Sequence, residues 1–98
     1  MLQLGIFVEL KARAGKEEEV AAFLKSALPL VAAEPETMTW YAVRFDQTTF
    51  GIFDTFKNES GRNAHLQGRV AEALFARASE LFEMAPSVRQ PTLLASKP

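Results

Sequence analysis

Residues 38–56, MTWYAVRFDQTTFGIFDTF, constrain the fold of this chain more than any other stretch. Both halves are rich in β-branched and aromatic residues, the composition of a pleated, half-buried surface. The short polar DQ between them reads as a hairpin turn. Side chains alternate across a strand. Trp40, Ala42 and Arg44 therefore share one face of the first strand, while Tyr41, Val43 and Phe45 share the other. On the second strand Phe50, Ile52, Asp54 and Phe56 fall together. Such a hairpin carries apolar groups on both faces, so each face needs a cover.

The flanking segments supply one cover. In LQLGIFVELKA, the residues Leu2, Leu4, Ile6, Val8 and Leu10 recur with period two, which predicts a strand with one fully apolar face. Gly5 and Phe7 interrupt its polar face. RAGKEEE then offers a turn glycine and an acidic first helical turn, suited to the positive end of a helix dipole. Val20, Phe23, Leu24, Ala27, Leu28 and Val31 make one helical stripe, with Pro29 predicting a kink or an early end. After the hairpin, Asn58 or Ser60 can cap a helix through GRNAHL that breaks at Gly68. Val70, Ala73, Leu74, Ala78, Leu81 and Phe82 predict a longer helix, and Phe7, Phe53, Phe75 and Phe82 are expected in the core. SVRQPTLLA reads as a last strand that Pro91 confines to an edge or a bulge.

The order is β-α-β-β-α-β, with the second helical region split in two. Right-handed crossovers applied to it give an α+β, ferredoxin-like layer: an antiparallel sheet with helices on one face and the other face open. A contiguous open face of Phe, Tyr and Trp does not sit in water without consequence. A second copy of the same sheet is the simplest cover, so a homodimer is expected. The 98 residues fit a single domain, 1–98.

Composition narrows the function classes. Net charge is −1 with both signs interspersed, unlike the basic stripe of a nucleic-acid binder, so no nucleic-acid partner is expected. With no cysteine and one histidine, thiolate chemistry is excluded and no convergent metal-ligand set is visible, so no metal is expected. No apolar run approaches the ~20 residues that span a bilayer, and MLQLGIFVELKAR lacks the basic start of a signal peptide. The expectation is a cytoplasmic protein with no membrane partner.

Three stretches carry a resemblance: RAGKEEE at the start of the first helix, EPET before the second strand, and NAHL at Asn63–Leu66 after the aromatic strand FGIFDTF. With them the chain resembles the antibiotic biosynthesis monooxygenase domain over essentially its whole length. The resemblance implies a dimeric α+β barrel. Some of its members oxidise phenolic or quinol-type rings with molecular oxygen and no metal or flavin; others degrade heme, process small signal molecules or have no assigned activity. The heme-degrading members carry an axial histidine where this chain has Phe75 and a first-strand asparagine near Val8, so heme is not expected. The implied function is cofactor-independent oxygenation of a small aromatic compound, with no cofactor. The alternative is a non-catalytic dimeric module of the same fold that binds a small ligand or serves an accessory role.

Several residues are candidates for that chemistry. His65, with an ordinary pKa of about 6.5, suits a proton acceptor for a phenol, or it packs at the end of a short helix. Asp54 sits mid-strand among phenylalanines, where a carboxylate is costly unless paired. Arg44 is its obvious partner if the hairpin register allows; the other reading is a raised-pKa carboxylate facing a pocket. Trp40 is expected as a ring-stacking wall, Phe56 as a ring contact and Arg44 as a polar contact. Asn63 is a candidate pocket hydrogen-bond partner, and Arg69, at a helix junction, a candidate anion contact.

Overall fold

The computed structural model describes residues 3–97; Leu2, the first residue of the alternating stripe, lies outside them. The elements are β1 (Leu4–Lys11), α1 (Glu17–Ser26), α2 (Leu28–Ala32), β2 (Thr37–Arg44), β3 (Thr49–Phe56), α3 (Glu59–Leu66), α4 (Arg69–Ala76), α5 (Ala78–Leu81) and β4 (Ser87–Arg89). The four strands form one antiparallel sheet in the order β2-β3-β1-β4, the ferredoxin-like arrangement. Among the described residues no helix is long and apolar enough to cross a membrane.

The alternation in β1 sets the core. Ile6, Val8 and Leu10 point to the helical side and are buried against Phe50, Ile52 and Phe56 of β3. Val20 and Leu24 of α1, Leu74 of α4, and Leu81 with Phe82 close the layer above them. Each such side chain contributes roughly 1.5–3 kcal/mol by leaving water. A smaller cluster of Ala27, Val31 and Val70, with Leu30 beside it, is joined to the main core through Trp40.

Local chemistry explains the breaks. Gly15 turns the chain out of β1 at φ 85, a conformation that L side chains rarely adopt. The first helical stripe ends early, as Pro29 requires: it lacks an N–H and its ring crowds the preceding turn. The chain restarts as α2 with Pro29 in the first turn, where proline is tolerated. Leu28 thereby leaves the stripe and is 55% exposed. The hairpin turn is held by Asp46, whose Oδ1 accepts from the Thr48 and Thr49 amides at 2.9 and 2.8 Å. Asn58 caps α3, its Oδ1 accepting from the Gly61 amide at 2.8 Å.

Three expectations change. The longer second helix is two segments, α4 and α5, interrupted at Arg77, whose guanidinium pairs with Glu19 and Glu80. The last strand is only three residues long; beyond it the chain touches the sheet through the Pro91 carbonyl, which accepts from the Gly5 amide at 3.1 Å, and an isolated bridge between Leu4 and Thr92. Of the four phenylalanines expected in the core only Phe82 is there. Phe75 lies on the outer side of α4, 51% exposed, while Phe7 and Phe53 are half-buried on the open sheet face, where Phe53 stands between Phe7 and Tyr41 on the ladder.

Candidate functional site

The site begins with a strand residue on the inward face. Asp54 follows the same parity as Phe50, Ile52 and Phe56, so its carboxylate enters the core and is fully buried. The capped helix α3 then brings His65 down onto it, with Nε2 3.0 Å from Asp54 Oδ2. This contact is an ion-pair approach without the alignment of a good hydrogen bond. On the other side of the ring, His65 Nδ1 lies 2.6 Å from Glu34 Oε1. The same glutamate oxygen accepts from the Thr37 hydroxyl at 2.7 Å. Phe56 packs on the imidazole with ring centroids 5.2 Å apart.

Three ionisable groups thus stand in a row, carboxylate–imidazole–carboxylate, almost entirely out of water. A neutral imidazole has one N–H and one lone pair. With an acceptor at both nitrogens, the row is satisfied either by an imidazolium donating both ways or by a neutral ring facing a protonated carboxyl. The electrostatics agree. Burial is the largest influence on Asp54 and pushes its carboxyl up despite the opposing pull of His65. Burial alone would push the imidazole down, but its contacts with the carboxylates of Asp54 and Glu34 outweigh it and hold its pKa above the ordinary value. The row is linear and does not converge on one point. Among the described residues no group of three or more His, Cys, Asp or Glu side chains is arranged to hold a metal ion.

Two clefts open on the helical side of the sheet. One, of about 420 Å³, lies between the 29–37 segment and α3; Glu34 and His65 line it together with Leu30, Ala33, Ala64 and Arg69. The other, of about 560 Å³, lies between α1 and β2; Trp40 and Arg44 line it with Leu24, Leu28 and Phe50. The residues singled out from sequence are therefore divided. His65 and Asp54 come together, with only His65 reaching a cleft, whereas Trp40 and Arg44 line the other one. Trp40 packs against both core clusters, and its indole N–H is buried with no acceptor among the described residues.

Other placements are corrections. Arg44 is not the partner of Asp54: the register sets Trp40 opposite Asp54 and Arg44 opposite Phe50. Four residues along a strand is roughly 13 Å, beyond the reach of that ion pair. Arg44 instead donates to Glu18 Oε2 and the Gln47 carbonyl, both at 3.0 Å, and lies 4.9 Å over the Phe50 ring. Phe56 is fully buried and contacts the histidine, lining neither cleft. Asn63 is exposed and also lines neither. Glu34 is the member of this row that sequence reasoning missed. Its signal was the acid of AEPET before Pro35, taken there only as the end of the first helical segment and the approach to β2; its partner is 31 residues away.

No protein-family model and no curated protein matches the chain. Among solved structures, a protein of unknown function from Nitrosomonas europaea superposes with a TM-score of 0.96 at 47% identity, over 99% of this chain and 94% of that one. A "putative antibiotic biosynthesis monooxygenase", also from Nitrosomonas europaea, superposes with a TM-score of 0.82 at 14% identity, over 94% of this chain and 90% of that one. Another protein so described, from Chloroflexus aurantiacus, gives 0.75 at 12% identity, over 98% and 97% of the two chains. The two more distant likenesses carry the fold alone. The chain has the fold of antibiotic biosynthesis monooxygenase-like proteins, and it belongs to the same family as the Nitrosomonas europaea protein of unknown function.

Proposed function

We propose that this protein is a small-molecule oxygenase that acts on a phenolic or quinol-like ring bound beside Glu34 and uses dioxygen directly. The observation that carries this reading is the buried row Glu34–His65–Asp54 opening through its glutamate onto a largely apolar cleft. Proton transfer by a positioned group is effective when its proton affinity is matched to the task, and a dry surrounding strengthens the transfer. Both ring nitrogens of His65 face carboxylates, so the group that meets the ligand is Glu34, and His65 acts behind it. This revises the role first expected of His65 and Asp54: they hold and redistribute the proton that Glu34 accepts.

The chemistry balances for a ring carbon carrying two hydrogens next to a phenol or its keto form. Loss of a proton to Glu34 leaves an electron-rich anion. One electron passes to dioxygen, the two radicals join in a carbon–oxygen bond, and the resulting peroxide loses water to leave a carbonyl. Substrate and dioxygen become the oxidised ring and one water, and the proton returns through the same row.

A second copy of the chain against the open sheet face completes the reading. Its support is the aromatic row Phe7, Phe53 and Tyr41, with Val43 and Phe45 beyond it; Tyr41 and Phe45 are 58% and 59% exposed. Light scattering on Tyr41→Asp tests this part: a dimer that becomes a monomer supports it, and a wild-type monomer sinks it.

The activity is tested by oxygen uptake over a panel of quinols and anthrones, comparing wild type with Glu34→Gln and His65→Ala. Uptake above the autoxidation blank, lost in Glu34→Gln while that variant still melts cooperatively, is the expected result. No uptake, or equal uptake by all three, overturns it. Binding without uptake would leave the non-catalytic module as the better reading.

A further inference from the structure

The cleft beside Glu34 is polarised along its length. It runs beside α3 from Gly61, in its first turn, to Gly68, which caps the start of α4. Over that span a helix rises roughly 10 Å. At the Gly61 end lies Glu36: a Cβ on Gly61 would stand 2.6 Å from the Glu36 Cβ. At the other end lies Glu34, whose Oε2 is 3.4 Å from the position of a Cβ on Gly68. Arg69 follows directly, as the first residue of α4. The charged and titratable groups lining the cleft are Glu34, Glu36, His65 and Arg69. Glu34 Oε1 is occupied by His65 and Thr37. Arg69 is exposed, and among the described residues its side chain has neither an ion pair nor a hydrogen bond. Arg44 and Arg77 differ, being tied to glutamates. The cleft is therefore lined by an uncommitted arginine whose backbone follows Gly68, at the Glu34 end. Of the two carboxylates in the cleft, Glu34 is paired with His65, and Glu36 leaves the backbone at the Gly61 end.

We propose that this cleft selects a hydroxy-aromatic compound that also carries a carboxylate, with the carboxylate on Arg69 and the hydroxyl on Glu34. The proposal rests on the reading of Glu34 given above. A guanidinium pairs with a carboxylate through parallel N–H donors, fixing the direction of a planar ligand as well as its position. A Cβ on Gly68 would meet the Ala64 carbonyl at 3.2 Å and come within 3.4 Å of Glu34 Oε2, so this end of the cleft leaves little room for a side chain there. Because Arg69 is exposed, the preference is modest and salt-sensitive.

The test is calorimetric binding under nitrogen, where no turnover occurs, of two probes that differ by one carboxylate: hydroquinone and 2,5-dihydroxybenzoate. Wild type is expected to bind the acid about threefold to tenfold more tightly at low salt. The advantage shrinks at high salt and disappears in Arg69→Gln, in which the acid loses more affinity than hydroquinone does. Arg69→Lys keeps part of it, since a lysine supplies the charge without the fork. Equal affinity for the two probes, an advantage that survives in Arg69→Gln, or no binding of either probe would overturn the proposal. Preference for the acid without any oxygen uptake would sink the oxygenase reading alone. Uptake with neutral quinols and no preference for acids would sink this inference alone.

Discussion

Trp40 stands directly opposite Asp54 on the β2–β3 ladder, and both bury polar atoms that lack a well-aligned partner among the described residues. Directly opposed residues place their Cβ atoms roughly 5 Å apart, so the indole and the carboxylate are cross-strand neighbours on the inward face. Trp40 is the only tryptophan in the chain, so its emission reports on the Asp54–His65 pair. Wild-type fluorescence is expected to change with pH in one step as the pair titrates, and His65→Gln to remove the step. A step that persists in His65→Gln would show that the indole responds to some other group.

Removing the histidine leaves Asp54 buried without its cation. His65→Ala is expected to cost about 3 kcal/mol of stability, the scale for breaking a buried pair from one side. Adding Asp54→Leu should recover part of that loss, because an apolar side chain of similar size needs no partner there. Denaturant melts of the single and double variants check this, and a double variant no more stable than His65→Ala alone would count against the ion-pair account.

The raised pKa values fix the sign of a pH effect. His65 holds its proton more tightly folded than unfolded, so its contribution is fully present below its ordinary value of about 6.5 and is lost as pH rises through the folded value. Asp54, pushed up by burial, acts in the same direction from about pH 3.9 upward. The melting temperature should therefore fall as pH rises above about 6.5, and the slope should flatten in His65→Gln. Thermal melts across that range decide it, and a melting temperature that climbs with pH would contradict the arrangement.

Two glycines separate a rigid close approach from a soft one. A methyl on Gly61 would meet the Glu36 Cβ at 2.6 Å, where α3 packs on the start of β2, so Gly61→Ala is expected to cost about 2 kcal/mol. A methyl on Gly51 would meet the Phe45 ring at 2.8 Å, but that ring is 59% exposed and can swing away, so Gly51→Ala should cost well under half as much. Urea titrations of the two variants compare them, and equal losses would show that Phe45 is held more firmly than its exposure implies.

Much of the fold was legible because periodicity is a local property. The period-two stripe of β1, the Pro29 break, the Asn58 cap and the polar turn between β2 and β3 each depend on residues within a few positions of one another. The strand parity that turned Asp54 inward with Phe50 and Phe56 was equally legible. Its partner was not. Arg44 looked suitable because it lay on the neighbouring strand, but register is set by the turn and the packing of whole faces, and it placed Trp40 opposite instead.

The sequence by itself determined the element order, which side chains share a face of each long strand and the placing of an acid among the apolar residues of one face. Each of these follows from backbone geometry and the avoidance of water by apolar side chains. Only the tertiary structure decided that Glu34 meets His65, that the expected site residues divide between two clefts, and that Phe7 and Phe53 face outward with Tyr41. Those outcomes depend on how separate elements stack. An imidazole flanked by carboxylates from two distant segments exists only once the helix carrying it has been docked on the sheet.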